Sequence, residues 1–324
     1  MNNIKIMYNE TIDLAPLVVS CAISDAIGEA STAEVELIPS GAYGVLPSFG
    51  DSIGISFVTK KGESPQTSYT IQEVKDSGGG TLSWSAVAKP IARKSTGSKG
   101  KQPPTGGALM SKAKTETLTY VSFAAYAAQV AKEADMKLLF TAPDKVISKL
   151  ARYQETGYYV LSRLCSRYGY FLRVEADRIV ITAGGAKSTA IEVLPDTIVV
   201  EGISGYSLQP KATAGAVVVK SYNKRKKKMK TVRVELDGIG ADEDIDAGEG
   251  IDEVEMQDVA AGTAQKSRRA AVSASVVIRG DYRIFSGCIV DVKDAILAGT
   301  YRVTRADHTL DGGGYVTSLE LGAL

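Results

Sequence analysis

The sequence contains few of the residues on which most catalytic and metal sites depend. It has one histidine, His308, and three cysteines, Cys21, Cys165 and Cys288, which lie far apart in the chain among apolar neighbours. A serine or cysteine triad needs a base, usually histidine, and a zinc site needs several closely spaced His or Cys ligands. We therefore expect His308 to be a packed or surface strand residue and the cysteines to be buried free thiols. We expect no metal and no cofactor.

Long apolar runs are also missing. No stretch approaches the roughly 18 residues that span a bilayer. The first residues, MNNIKIMYNETIDL, lack the basic start and continuous apolar core of a signal peptide. With 44% hydrophobic and 7% aromatic residues in 324, the composition is that of a folded protein of two or three domains. We expect synthesis in the cytoplasm and no membrane anchor.

The glycine-rich and acidic segments do not form known phosphate or calcium sites. The runs Gly78–Gly80, Gly184–Gly185 and Gly312–Gly314 are not directly followed by Lys-Ser/Thr and open no helix, so they are interpreted as hairpin turns. The acids of Asp242–Asp246 alternate as in a calcium loop, but the sixth position counted from Asp242 is Ala247, where such a loop needs Gly. Because this segment is polar and Gly-rich, we interpret it as a solvated loop rather than a carboxylate active site.

The net charge of +1 hides a local asymmetry. Lys224–Lys230, reading KRKKKMK, has six cations, and Asp237–Asp258 has ten carboxylates and no cation. Three interpretations stay open: a solvated loop, a contact with another subunit or partner, or nonspecific contact with a nucleic-acid backbone. In the second, the cations of one subunit meet the acids of another; the candidate residues are Lys224, Arg225, Lys226, Lys227, Lys228, Lys230, Asp242, Glu243 and Asp244.

The pattern predicts a mainly β fold with an α+β insert. Residues 1–93 contain about five short alternating strands with Gly and Ser turns, typical of a first β-barrel domain. Residues 94–116 are rich in Gly, Ser, Pro and Lys and are predicted to be a flexible linker. Residues 117–195 are predicted to be a compact α+β domain whose first helix is capped by Thr117. Residues 196–324 are predicted to be a second barrel domain with one helix near Ala260–Ala274.

One segment, Tyr153–Ile181, is more informative than the rest. Thr156 or Glu155 supplies the chemistry of a helix start, and Val160, Leu161, Leu164 and Cys165 form an apolar stripe. Gly169 is suited to end the helix, after which alternating residues turn at Ala176-Asp177 into a second strand. The pattern predicts a helix followed by a hairpin, and it places no catalytic group.

This segment resembles the late control gene D proteins of contractile-tailed phages, which are related to the spike protein of type VI secretion and to the hubs of tail-like bacteriocins. Those proteins carry the form Q-x-x-E-S/T-x-x-x-F/Y-L-x-R-L-x-x-x-x-G before a hairpin. The residues that match are Glu155, Thr156, Leu161, Arg163, Leu164 and Gly169, and Tyr159 lies one position before the F/Y of the pattern. The order of later elements is similar as well: a strand at Gly215–Lys220, an Ala/Arg-rich helix, and a closing hairpin at Tyr301–Leu321.

The resemblance implies a baseplate hub in the tail of a phage or tail-like particle. Two tube-like barrels in each of three copies would then form a ring that joins a sixfold tail tube to a threefold central spike. The implied partners are the tube protein, the spike protein and other baseplate proteins, and DNA in transit would pass through the lumen. The linker segment Lys94–Lys112 is longer and more basic than the family pattern. Two alternatives stay open: a tail-associated peptidoglycan hydrolase, and a glycan- or receptor-binding tail protein, for which Trp84 is the only tryptophan.

Overall fold

The computed structural model describes most of the chain. The described residues are 4–8, 11–38, 48–59, 62–78, 80–88, 113–174, 178–183, 190–199, 206–210, 213–223, 227–249, 251–295 and 297–324. Most of the predicted linker, the predicted turn at Ala176-Asp177 and the pair Gly184–Gly185 lie outside them.

The described residues are mainly in strands, with three α-helices. The strands are β1 (Ile4–Tyr8), β2 (Ile12–Asp13), β3 (Val18–Ala26), β4 (Thr32–Leu37), β5 (Ser52–Thr59), β6 (Gly62–Glu63), β7 (Thr67–Gly78), β8 (Thr81–Ala88), β9 (Lys114–Ser122), β10 (Lys137–Phe140), β11 (Val146–Glu155), β12 (Phe171–Val174), β13 (Arg178–Thr182), β14 (Ile191–Val193), β15 (Tyr206–Pro210), β16 (Ala216–Asn223), β17 (Lys228–Glu235), β18 (Glu243–Glu249), β19 (Val272–Arg279), β20 (Ile289–Val292), β21 (Gly299–Asp311) and β22 (Gly314–Gly322). The helices are α1 (Phe123–Glu133), α2 (Gly157–Tyr168) and α3 (Glu253–Ala270), and short 3₁₀ turns lie at Ala15–Leu17 and Pro195–Thr197. The prediction of a mainly β protein is confirmed.

The chain divides into two compact units, and neither unit is continuous in sequence. The first comprises Met1–Ser111, Thr189–Ser207 and Ser275–Leu321, and the second comprises Lys112–Ser188, Leu208–Ala274 and Gly322–Leu324. The region 196–324, predicted to be one barrel domain, therefore contributes to both units. The arrangement of two barrels around an insert stays a prediction.

The first unit is built on one large sheet. Its strand order is β15–β19–β22–β21–β3–β4–β8–β7–β5–β1–β2, with β20 on β21 and β14, and β6 on β5. The centre is the antiparallel pairing of β3 with β21, in which Cys21 lies opposite Leu310. The strands predicted in residues 1–93 are confirmed. The hairpins predicted at Gly78–Gly80 and Gly312–Gly314 are confirmed as well, since β7 leads into β8 and β21 into β22.

Alternation decides which side chains of the first unit are buried. Val35 and Leu37 on β4, and Ile53 and Ile55 on β5, are at most 1% exposed, while their neighbours Glu34 and Glu36 point to more open positions. Residues two apart in a strand share a face, so these apolar positions meet in one core. Trp84, in the middle of β8, is fully buried there.

His308 lies in a buried polar cluster within the same unit. Its Nδ1 is 2.8 Å from the Tyr315 hydroxyl and 3.1 Å from the Thr317 hydroxyl. The Tyr315 ring stacks on Phe57 with centroids 4.7 Å apart. Burial lowers the pKa of His308, although Asp25 and Asp281 act in the opposite direction. The prediction that His308 is a packed strand residue is confirmed.

In the described part of the chain, the second unit contains the three α-helices and three small sheets. The sheets have the orders β10–β13–β12, β11–β9 and β17–β16–β18. The pair β9–β11 is fastened by Arg152, whose side chain is 1% exposed. Its Nε donates to the Glu155 carbonyl at 2.8 Å, and Nη1 lies 3.1 Å from Glu116. The Glu116 carboxylate and the Glu155 carbonyl replace the water that the guanidinium loses on burial.

The helix-hairpin predicted at Tyr153–Ile181 is confirmed for its described residues. Helix α2 follows Thr156 and ends at Gly169, which has the left-handed φ of 69° that favours glycine. The predicted stripe of Val160, Leu161, Leu164 and Cys165 is buried. The Thr156 side chain makes no capping hydrogen bond, so its role as a cap is limited to backbone geometry.

Two helix boundaries differ from the prediction. Thr117 does not cap a helix; it lies in β9, whose exposed threonines 115, 117 and 119 alternate with more buried residues. The actual cap of α1 is Ser122, which accepts from the Ala125 amide. The predicted helix near Ala260–Ala274 instead covers Glu253–Ala270, because it is capped by Asp252, eight residues before the predicted start.

Candidate interface on the charged sheet

The two charged segments of the sequence meet in one small sheet. We call β17–β16–β18 the charged sheet. The central strand β16 pairs antiparallel with β17, from Asn223 opposite Lys228 to Ala216 opposite Glu235. On its other side it pairs in parallel with β18, from Val217 opposite Glu243 onward. The interpretation of Asp242–Asp246 as a solvated loop is therefore wrong for Glu243–Asp246, which belongs to the strand Glu243–Glu249.

The sequence of β16 explains why such polar neighbours become strands. Val217 and Val219 are fully buried and Val218 is 8% exposed, so β16 is apolar on both faces over this stretch. Helix α3 packs against β16 and β17. A buried strand must pair its backbone amides and carbonyls on both sides, and β17 and β18 supply those partners. The charged side chains of β17 and β18 stay exposed or half-buried, and only the backbones of these strands pair with β16.

Several charges on this sheet pair within the chain. The Arg233 guanidinium binds Glu235, with Nε to Oε1 at 2.6 Å, and also Asp242, with Nη2 to Oδ1 at 3.3 Å. Both carboxylates raise the pKa of Arg233. Lys220 Nζ lies 2.9 Å from Asp244 Oδ2. These ion pairs are exposed, and exposed ion pairs contribute little to stability. Their main effect is therefore to orient the side chains.

The candidate residues therefore lie on opposite edges of the sheet. Lys227 precedes β17, in which Lys228 and Lys230 lie, and Asp242 precedes β18, in which Glu243 and Asp244 lie. Lys224, Arg225 and Lys226 lie outside the described residues. Lys230 is 3.9 Å from Glu253 of α3, whereas Lys227 and Lys228 form no ion pair with any described residue. The strand β16 separates the two groups within one copy.

The sequence reasoning missed a buried carboxylate in the acidic run. Glu255 is 1% exposed and accepts from the Ser148 amide at 2.8 Å and from the Tyr168 hydroxyl at 3.1 Å. Arg167 Nη2 lies 3.0 Å from the same carboxylate. The Tyr168 pKa is raised by burial and by Glu255. The sequence did contain a signal for a special role of Glu255, because Asp252 and Glu255 have the spacing of a capping box. In the structure the Glu255 amide donates to the Asp252 carboxylate at 2.8 Å.

Helices α2 and α3 approach through two glycines. A Cβ on Gly262 would stand 2.4 Å from the backbone carbon of Tyr168, and one on Gly169 would stand 2.6 Å from the Gly262 carbonyl oxygen. Arg269 completes the contact by donating to the Gly169 carbonyl at 2.8 Å. Its guanidinium also lies 4.3 Å from the centroid of the Phe171 ring. Backbone contact of this kind fixes the position of α3, and with it the charged sheet that α3 covers.

The two alternatives, a peptidoglycan hydrolase and a glycan- or receptor-binding protein, depend on the acids at Asp242–Asp246 and on Trp84. The Asp242 and Asp244 side chains are 41% and 63% exposed and are bound by Arg233 and Lys220. Trp84 is fully buried and offers no surface for stacking a sugar. The three cysteines are buried free thiols, as predicted, and burial raises the pKa of Cys21 to about 12. Such thiols are poor nucleophiles.

Two further searches cover the described part of the chain only. Within it, no three His, Cys, Asp or Glu side chains are grouped so that they could hold a metal ion. None of the helices described there has the length and apolar character needed to cross a membrane.

Comparison with known proteins gives matches in structure and none in sequence. No family model and no curated protein matches the chain. A tail protein from Neisseria meningitidis MC58 superposes with a TM-score of 0.71 at 12% identity, over 99% of this chain and 96% of that one. The 43 kDa tail protein of prophage MuSo2 from Shewanella oneidensis gives 0.66 at 13%, over 98% and 97%.

A third similar structure comes from a secretion machine. It is an E. coli component of the type VI secretion system with structural similarity to the T4 bacteriophage tail proteins gp27 and gp5. It matches with a TM-score of 0.58 at 8% identity, over 99% of this chain and 77% of that one. The chain thus has the fold of phage tail proteins and of a type VI secretion component.

Proposed function

We propose that this chain is a structural hub in the baseplate of a contractile tail. The observation that carries the proposal is the match over 99% of this chain and 96% of a bacterial tail protein, which leaves no sizeable part of either fold unaccounted for. The helix-hairpin at Tyr153–Ile181, found from the sequence, supports the same assignment.

In this proposal three copies form a ring. Each copy supplies two tube-like barrels, one from residues 1–93 and one from strands within 196–324, so that three copies present six similar edges. One side of the ring would face the sixfold tail tube and the other the threefold central spike. The partners are the tube protein, the spike protein and other baseplate proteins, and the place of action is the virion tail or the tail of a similar particle.

The proposed role is adaptor rather than enzyme. It requires exposed surfaces that mate with other proteins, and it invokes no cofactor and no bond making. The exposure of the acids at Asp242–Asp244 and the burial of His308 and the cysteines agree with this. Light scattering on the purified chain is the first test. A trimer of about 100 kDa, three times 34.2 kDa, is expected, and a monomer that persists at high protein concentration would contradict the hub.

A second assay addresses the hydrolase alternative. Purified peptidoglycan is incubated with the protein, and release of soluble fragments is followed. No release is expected. Release that is lost in Asp244→Asn would replace the adaptor role with a catalytic one.

A further inference from the structure

The charged sheet has two open edges of opposite sign. Among the described residues, β17 pairs only with β16, and β18 pairs only with β16. We call Lys227, Lys228 and Lys230 the basic edge, and Glu243, Asp244, Asp246 and Glu249 the acidic edge. The two edge strands have eight and seven residues, so they match in length.

We infer that the basic edge of one copy docks on the acidic edge of the next copy, extending the charged sheet from subunit to subunit. The inference rests on the proposed function, because it supplies the contact through which copies form a ring. An open strand edge is a template for pairing with another strand, and natural proteins usually block it with charge. In the charged sheet, the charges disfavour the pairing of two like edges and favour the pairing of a basic edge with an acidic edge.

The signs of the edges select the geometry. Two basic edges repel, and two acidic edges repel, since like charges opposite each other destabilise a strand pair. A two-fold dimer through either edge is therefore disfavoured. Only a head-to-tail contact joins unlike edges, and repeated head-to-tail contacts form a ring when the rotation between copies closes.

The strand directions agree with such a ring. Because β17 is antiparallel and β18 parallel to β16, the two edges of one copy already run in opposite directions. A rotation about an axis along the strands keeps each direction unchanged. The β17 of one copy would then run antiparallel to the β18 of its neighbour and form an ordinary antiparallel ladder.

The charges on the basic edge are available for this contact. Lys227 and Lys228 are exposed and make no ion pair with a described residue, and the Lys230 to Glu253 distance of 3.9 Å is at the limit for a pair. On the acidic edge, Asp244 is 63% exposed even though it contacts Lys220. Exposed pairs of this kind exchange partners at little cost.

Charge reversal tests the inference on the full chain. One variant reverses the basic edge with Lys228→Glu and Lys230→Glu, and a second reverses the acidic edge with Glu243→Lys and Asp244→Lys. A third carries all four changes. The matched control, Lys132→Glu with Lys149→Glu, reverses two exposed lysines elsewhere in the second unit.

Sedimentation equilibrium measures self-association of each protein, and circular dichroism checks folding. Each single-edge variant should associate at least tenfold more weakly than wild type, and the four-change variant should recover to within about threefold, because its edges are again unlike. The control should match wild type. Raising NaCl to 1 M should weaken the wild-type trimer, since the screening length falls to about 3 Å.

The outcomes separate this inference from the proposed function. A wild-type trimer whose single-edge variants associate normally overturns the edge contact and leaves the hub standing. A four-change variant as weak as the single-edge variants also overturns it, because the losses would then reflect damage and not charge matching. A wild-type protein that is a stable monomer overturns both.

Discussion

The contact between Gly262 and the end of α2 provides the sharpest test of the packing. Gly262→Ala would place a Cβ 2.4 Å from the Tyr168 backbone, and real Cβ atoms do not approach backbone so closely, so α3 must move. Overpacking of this kind costs about 1–3 kcal/mol. Moving α3 also weakens the hydrogen bonds of the charged Glu255, each worth about 1.5–3 kcal/mol.

Helix propensity acts in the opposite direction. Alanine is favoured over glycine inside a helix by about 1 kcal/mol. The net expectation is a loss of about 2–4 kcal/mol in the free energy of unfolding of the second unit. Because the three described helices all lie in that unit, urea unfolding followed by circular dichroism at 222 nm reports on it, while fluorescence of the single Trp84 reports on the first unit.

Two control variants isolate the steric cause. Ala261→Gly changes the exposed neighbour in the same helix and should lose only about 1 kcal/mol. Gly312→Ala places a Cβ in open space and should change stability by less than about 0.5 kcal/mol. If Gly262→Ala instead stabilised the second unit by about 1 kcal/mol, propensity alone would govern the site and the close approach of the helices would be refuted.

Two more predictions concern buried titratable groups. Glu255→Ala should cost the second unit about 3–5 kcal/mol in urea unfolding, because Arg167 would lose its buried partner; a loss below about 1 kcal/mol would contradict the burial of this carboxylate. For His308, burial lowers the folded pKa below its ordinary value of 6.5, so the unfolded chain binds a proton that the folded chain does not. The His308 contribution is therefore complete above about pH 6.5 and declines below it, by at most about 1.4 kcal/mol per pH unit. Unfolding at pH 7.5 and pH 5 should show a smaller difference in His308→Gln than in wild type, and an equal difference would refute the assignment.

Local patterns in the sequence were enough to predict several elements. Gly169 ends α2 because only a residue tolerant of positive φ fits there. The turn Asp311–Gly314 forms a hairpin in which Gly314 has a positive φ of 122°, a conformation that favours glycine. In both cases the decisive interactions lie within a few residues, where the sequence shows them directly.

Other elements depend on partners that are distant in sequence. The acidic strand β18 has a weak apolar alternation, and it forms because β16 needs a second partner for its backbone. Glu255 looks like any other acid in its run, and its burial follows from contact with Ser148 and Tyr168, each more than eighty residues away. The sequence revealed both charge groups of the candidate interface, but only the strand order places them on opposite edges.

The pairing of β3 with β21 has a consequence for how the chain is made. Cys21 lies opposite Leu310, so the first unit cannot complete its sheet until Leu310 has left the ribosome. Contacts this distant slow folding, because a long loop must close before any of them forms. During that interval β3 has an open strand edge, which is a site for pairing with another nascent copy.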